Sequence, residues 1–80
     1  MSHIYTKLTP EEDCIVQWQY GQMGDFRTSL MHTITKADIY NMVELYSVYP
    51  VEVEGYRLYS TMDGWWQETQ KKAVDAGYSI

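Results

Sequence analysis

The sequence predicts an all-α fold: a compact bundle of four to five short helices in a single domain. Three observations carry this prediction. Thr9-Pro10-Glu11-Glu12 is a helix start, with a threonine cap, a proline at the first helical position and a glutamate three residues after the cap. Between residues 35 and 50, apolar side chains recur at the ~100° step of an α-helix. Glycine, proline and aspartate then interrupt the chain at 21–25, 50 and 63–64, where helices stop and restart.

The first helix is expected over 10–20, with Cys14, Ile15 and Trp18 facing the core. Val16-Gln17-Trp18-Gln19-Tyr20 alternates like a half-buried strand, but the start signal is strong and no partner strand is evident. Gly21 and Gly24 break the pattern, and Asp25 is a candidate cap for a second helix over 26–35. Phe26, Leu30, Ile34 and Ala37 mark its expected buried line.

The segment 35–50, TKADIYNMVELYSVYP, reads as the organising helix. Thr35 with Asp38 resembles a capping box, and Pro50 ends the helix, because the residue before proline is pushed out of the α region. Ile39, Met42, Val43 and Tyr46 fall on one side as the expected core stripe, flanked by Leu45 and Tyr49. Tyr40, Glu44 and Val48 stand at i, i+4, i+8 and form an outward row.

A fourth helix is expected over 50–60. Val51 and Val53 alternate with glutamates as in a strand, yet the alternation fails at Gly55-Tyr56-Arg57-Leu58. Gly55 costs this helix ~1 kcal/mol relative to alanine. Asp63 can cap a last helix over 65–76, whose stripe is Trp65, Thr69, Ala73 and Ala76, with Gly77 as its C-terminal stop. Residues 1–8 read as an N-terminal arm and 9–80 as the helical domain.

Composition narrows the function classes. At 45% hydrophobic and 15% aromatic, the 80 residues hold enough core material to fold, but only as one small core. The net charge is −5, and 37–56 contains Asp38, Glu44, Glu52 and Glu54 with no lysine or arginine. That balance argues against direct binding to nucleic acid or an anionic membrane and allows a basic protein partner. Cys14 is the single cysteine and reads as a small buried hydrophobe, so no internal disulfide is expected. Neither an export signal nor a membrane-spanning run is seen, so a cytoplasmic location is expected.

Catalytic readings fare poorly. His3 and His32 are the only histidines, and no cysteine or histidine lies at metal-ligand spacing, so neither metal nor cofactor is expected. Gly21-Gln22-Met23-Gly24 lacks the lysine and the βαβ context of a phosphate loop. Ser29, His32 and Asp38 suggest no strained nucleophile turn and no oxyanion hole. Trp65-Trp66 has no basic groove beside it for stacking on bases, so it reads as core-edge tryptophan. Eight tyrosines exceed what so small a core needs, and tyrosine is a favoured interface anchor.

The strings CIVQWQYGQMGDF, T-x-L at 28–30, K-A-D-x-x-N at 36–41, YPVEVEGYRLYS and GWWQE, together spanning 14–68, resemble small uncharacterised proteins encoded by phages, prophages and other mobile elements of Gram-positive bacteria. No catalytic residues carry over from that group. The resemblance implies helices at both alternating segments, a bacterial host cell and a mobile-element context. Together with the charge pattern it leads to an expected function: a non-enzymatic accessory protein acting by protein–protein binding. Its concrete form is an anti-defence inhibitor, of anti-CRISPR type, of a nucleic-acid-processing host enzyme such as a CRISPR nuclease. The expected partner face is Tyr40, Glu44, Val48, Glu52 and Glu54. The alternative is a structural or regulatory phage protein that homodimerises through its apolar row.

Overall fold

A computed structural model describes residues 8–78, so nearly all of the expected arm over 1–8 lies outside the described residues. Five helices follow one another: α1 (Pro10–Gln19), α2 (Asp25–Lys36), α3 (Ile39–Val48), α4 (Pro50–Thr61) and α5 (Trp65–Asp75). No strand occurs among the described residues, and both alternating segments are helical. In each, covered faces on more than one side of a helix imitate a two-residue period.

Helix α1 starts on a complete capping box. The Thr9 hydroxyl accepts from the Glu12 N–H at 3.1 Å, and the Glu12 carboxylate accepts from the Thr9 N–H at 2.9 Å. Glu11, Glu12 and Asp13 place negative charge at the positive helix end. Helix α2 is capped by Gly24, with Asp25 inside its first turn.

The start of α3 differs from the expected one. Helix α2 runs on to Lys36, so Thr35 is an interior residue whose hydroxyl donates to the His32 carbonyl at 2.7 Å. The chain turns at Ala37, in extended geometry, and Asp38 is the cap, accepting from the Asn41 N–H at 2.8 Å. Either oxygen-bearing residue can satisfy a first-turn donor, and the shorter helix makes room for the turn. Tyr49 alone joins α3 to α4, because Pro50 occupies the first position of α4. Helix α5 starts behind Gly64, in left-handed geometry at φ 81°, and not behind Asp63.

The hub of the bundle is α4, which packs against each of the other four helices. Its contact with α1 is the most extensive, and Gly55 makes it possible. A Cβ built there would lie 3.1 Å from the Glu11 carbonyl oxygen and 3.2 Å from Ile15 Cγ1. The glycine that weakens an isolated helix is what lets two backbones approach.

The core consists of Cys14, Ile15, Val16, Met23, Leu30, Met31, Ile34, Val53 and Ala73. Leu30 and Ile34 hold their expected places, while Phe26 is 67% exposed and meets Tyr49 in a tilted ring contact. Met31, adjacent to the expected line, is fully buried in its stead. An edge-to-face chain of rings runs Tyr56, Trp18, Tyr59, Trp66, Tyr20, Tyr78, with centroid separations from 5.6 to 6.3 Å. Such pairs add ~0.5–1.5 kcal/mol each beyond area burial, and the seam ties α1, α4 and α5 together. Two ion pairs bridge helices: Arg27 of α2 to Glu52 of α4 at 3.0 Å, and Lys72 of α5 to Glu12 of α1 at 2.9 Å.

Candidate partner-binding surface

Helix α3 is the most apolar segment by sequence, yet none of its residues is buried. It leans on α4 and makes no comparable contact elsewhere. Ile39 is 71% exposed, Tyr40 81%, Val43 65%, Val48 66% and Tyr46 51%. Met42 and Leu45 are half-buried against the core, joined by Tyr49 from the α3–α4 junction.

The expected core stripe is therefore corrected. Of Ile39, Met42, Val43 and Tyr46, only Met42 is partly enclosed. The side of α3 that meets α4 lies between the stripe and the row, toward Met42 and Leu45. Periodicity groups residues on faces but does not choose between two apolar faces for the inward one. A usable signal existed in the breadth of the pattern. A ten-residue helix with apolar side chains around most of its circumference needs cover on several sides, and a chain of this size has few helices to supply it.

The expected partner residues are only partly brought together. Tyr40, Glu44 and Val48 form an exposed row on α3. Glu44 and Val48, with Leu45 and Tyr49, line one wall of a groove of about 460 Å³ whose other wall is Thr33, Lys36 and Ala37 of the α2 end. The Glu44 carboxylate makes no ion pair among the described residues. Glu52 stands apart from the row, with its side chain turned to Arg27 and only 14% exposed. Glu54 lies on the opposite side of α3, beside Ile39, Val43 and Tyr46. It accepts from Arg57 Nε at 3.0 Å, and this hydrogen bond is the main reason its carboxyl sits below the usual carboxylate range. Two of the four acids in 37–56 are thus matched by arginines from outside that segment, leaving the face less acidic than its local sequence.

The tyrosines divide in the same way. Tyr20, Tyr49, Tyr56, Tyr59 and Tyr78 are half-buried and make ring contacts, which accounts for them structurally. Tyr40 and Tyr46 stand in water on α3. Trp65 and Trp66 are half-buried at the edge of the core, as expected. Cys14 is 1% exposed, and burial raises its thiol pKa to about 11, so it is protonated and inert at neutral pH.

Candidate catalytic groups are not assembled. Ser29 and His32 are exposed on α2, Asp38 is occupied as the α3 cap, and no hydrogen bond joins the three. His3 lies outside the described residues. No helix among the described residues is long and apolar enough to cross a membrane. The chain matches no known protein family, no curated protein and no solved structure.

Proposed function

We propose that this chain works by binding a protein partner through α3 and performs no chemistry of its own. The single observation that carries this reading is a helix of ten residues, none buried, that holds five large apolar side chains in water. Keeping such a helix soluble and unpartnered has no structural benefit, since truncating those side chains would cost the monomer little. Tyrosine and valine flanking an unpaired carboxylate suit an anchor-and-charge contact, in which Tyr40 supplies area and Glu44 selects a cation on the partner.

In its specific form, the chain is an anti-defence inhibitor, of anti-CRISPR type, of a basic nucleic-acid-processing enzyme in a bacterial host. The net charge of −5 and the resemblance to mobile-element proteins support this form. The charge draws the chain toward a basic groove over long range, and Tyr40, Glu44 and Val48 make the contact. Glu52 and Glu54, each held by an arginine, are not free to pair with the partner, so Glu44 carries the charge of the contact.

The test is cleavage inhibition and pull-down against a panel of Cas nucleases. The wild-type chain inhibits at least one, and the Tyr40→Ala/Glu44→Lys double variant, still folded by circular dichroism, does not. Inhibition undiminished in the double variant removes this row. Absence of inhibition and capture across the panel removes the anti-defence form.

A further inference from the structure

The turn between α4 and α5 places a free carboxyl beside a free main-chain nitrogen. Residues 62–65 form a four-residue turn, closed by the Trp65 N–H donating to the Met62 carbonyl at 3.1 Å. Gly64 takes the third position in left-handed geometry, at φ 81°, which glycine adopts without steric cost. Asp63, in the second position, is exposed. Its carboxylate does not cap α5 and forms no ion pair among the described residues. The Gly64 N–H meets no acceptor among the described residues, and a Cβ built on Gly64 finds no atom within 4 Å. Nothing therefore occupies the carboxyl, the nitrogen or the space between them.

The other aspartates lack this combination. Asp13 and Asp25 lie inside helices and precede Cys14 and Phe26, residues with a Cβ that shields the nitrogen. Asp38 is held as the α3 cap by the Asn41 N–H. After Asp75, the Ala76 N–H is engaged by the Lys72 carbonyl at 2.9 Å. Asn41 could give the same product by losing ammonia, but the Met42 N–H beyond it donates to the Asp38 carbonyl at 2.8 Å.

We propose that Asp63–Gly64 is a site of spontaneous backbone isomerisation, at which the main chain is rerouted through the Asp63 side chain. The Gly64 nitrogen attacks Cγ of the protonated Asp63 carboxyl. The nitrogen gives up its proton, the carboxyl gives up its hydroxyl, and the two leave as one water. A five-membered imide now joins Asp63 Cα, Cβ, Cγ and carbonyl carbon to the Gly64 nitrogen. Water reopens it in one of two ways. Addition at the Asp63 carbonyl carbon breaks that carbon's bond to the Gly64 nitrogen and leaves isoaspartate, whereas addition at Cγ restores aspartate. The chain's composition is unchanged, nothing is oxidised or reduced, and water is the sole co-reactant.

The isoaspartate main chain is longer by one methylene between Met62 and Gly64. The lengthened turn no longer holds the Trp65 N–H on the Met62 carbonyl, and the Gly64 carbonyl, which accepts from the Glu68 N–H at 3.1 Å, shifts with it. Both bonds fasten the first turn of α5. Trp66 stands in that turn and packs on Tyr59 of α4 and Tyr20 behind α1, so the loosening reaches the aromatic seam. None of these residues belongs to α3, and the inference is independent of the partner reading.

The experiment incubates the full chain in weakly acidic buffer at body temperature and follows the tryptic peptide 58–71. The native chain accumulates a second form of this peptide with identical mass, through an intermediate lighter by one water. Fragmentation places isoaspartate at 63, and isoaspartyl methyltransferase with S-adenosylmethionine labels it. The rate is close to that of the guanidinium-unfolded chain. Asp63→Glu keeps the charge but needs a six-membered ring, and it lowers total isoaspartate at least tenfold while the chain stays helical by circular dichroism. In the isolated isoaspartate form, amides in the first turn of α5 exchange with solvent faster than in the parent. A native chain that stays unmodified while the unfolded chain converts overturns the inference, because the turn then protects the bond. So does isoaspartate that persists in Asp63→Glu. Unchanged exchange along α5 in the isolated form overturns the loosening of that helix.

Discussion

Lys72 donates to the Glu12 carboxylate at 2.9 Å across sixty residues of chain, while the other oxygen of the same carboxylate closes the α1 capping box. One buried side chain thus starts α1 and fastens α5 to it. The Glu12 side chain is 8% exposed and that of Lys72 46%, so the pair is screened from one side only. Glu12→Gln keeps an acceptor for the Thr9 N–H and loses the charge, which costs about 1 kcal/mol. Glu12→Ala loses both and costs about 2–3 kcal/mol. Lys72→Met costs about 1–2 kcal/mol, below the value for a fully enclosed pair, because water still reaches the lysine side. Denaturant unfolding at neutral pH measures all three, and equal costs for the two Glu12 variants would dissolve the distinction between cap and ion pair.

Gly55 offers a test with opposed terms. Alanine at an exposed helical glycine is worth ~1 kcal/mol of stability. Here the new methyl would press on the Glu11 carbonyl oxygen at 3.1 Å and on Ile15. A backbone carbonyl inside α1 yields only by moving the helix. Gly55→Ala is therefore expected to destabilise by about 1 kcal/mol and Gly55→Val by more than ~2 kcal/mol. An Ala variant more stable than wild type in denaturant unfolding would mean that α1 and α4 separate freely.

The Gly55 case also marks what the sequence could tell. Helix starts and stops are local chemistry, so Thr9, Pro50 and Gly77 announced themselves, and the buried places of Cys14, Ile15, Leu30 and Ile34 followed from spacing. The second use of the Glu12 carboxylate did not, because its partner comes from the far end of the chain. Neither did the hub position of α4, since a glycine reads as a defect until a neighbouring backbone is known. Thr35 read as the cap with Asp38 as its partner three residues on, and it is the length of α2, unreadable from local spacing, that moves the cap to Asp38. For the candidate surface, the Tyr40–Glu44–Val48 row was legible because it depends on helical spacing alone. The exposure of Ile39, Val43 and Tyr46 was not, because it depends on where the other helices were free to pack.

Cys14 sets a pH dependence. Burial lifts its thiol from 9.0 to about 11, against a smaller opposing pull from the Arg27 guanidinium. The folded pKa is above the unfolded one, so the native state holds its proton longer. Its contribution is complete below pH 9 and is lost as pH rises through about 11. The loss over that window is about 2–3 kcal/mol, and it disappears in Cys14→Ala, which pays instead a smaller, pH-independent packing cost. At pH 8 a thiol reagent should label the native chain only as fast as it opens, and the denatured chain at once. Rapid labelling under native conditions would place Cys14 at the surface.

Helices α2 and α3 should respond to truncation in opposite ways. Ile34 and Met31 are fully buried, and each loses its transfer energy and leaves a cavity on replacement by alanine, at about 2–4 kcal/mol. Ile39, Tyr40 and Val43 are mostly in water, and the same change should cost under ~0.5 kcal/mol each in dilute solution. Because α3 is fastened mainly to α4, its amides should also exchange with solvent by local opening well before those of α1 and α4. Protection of α3 equal to that of α1 in dilute solution would contradict its placement at the edge of the bundle.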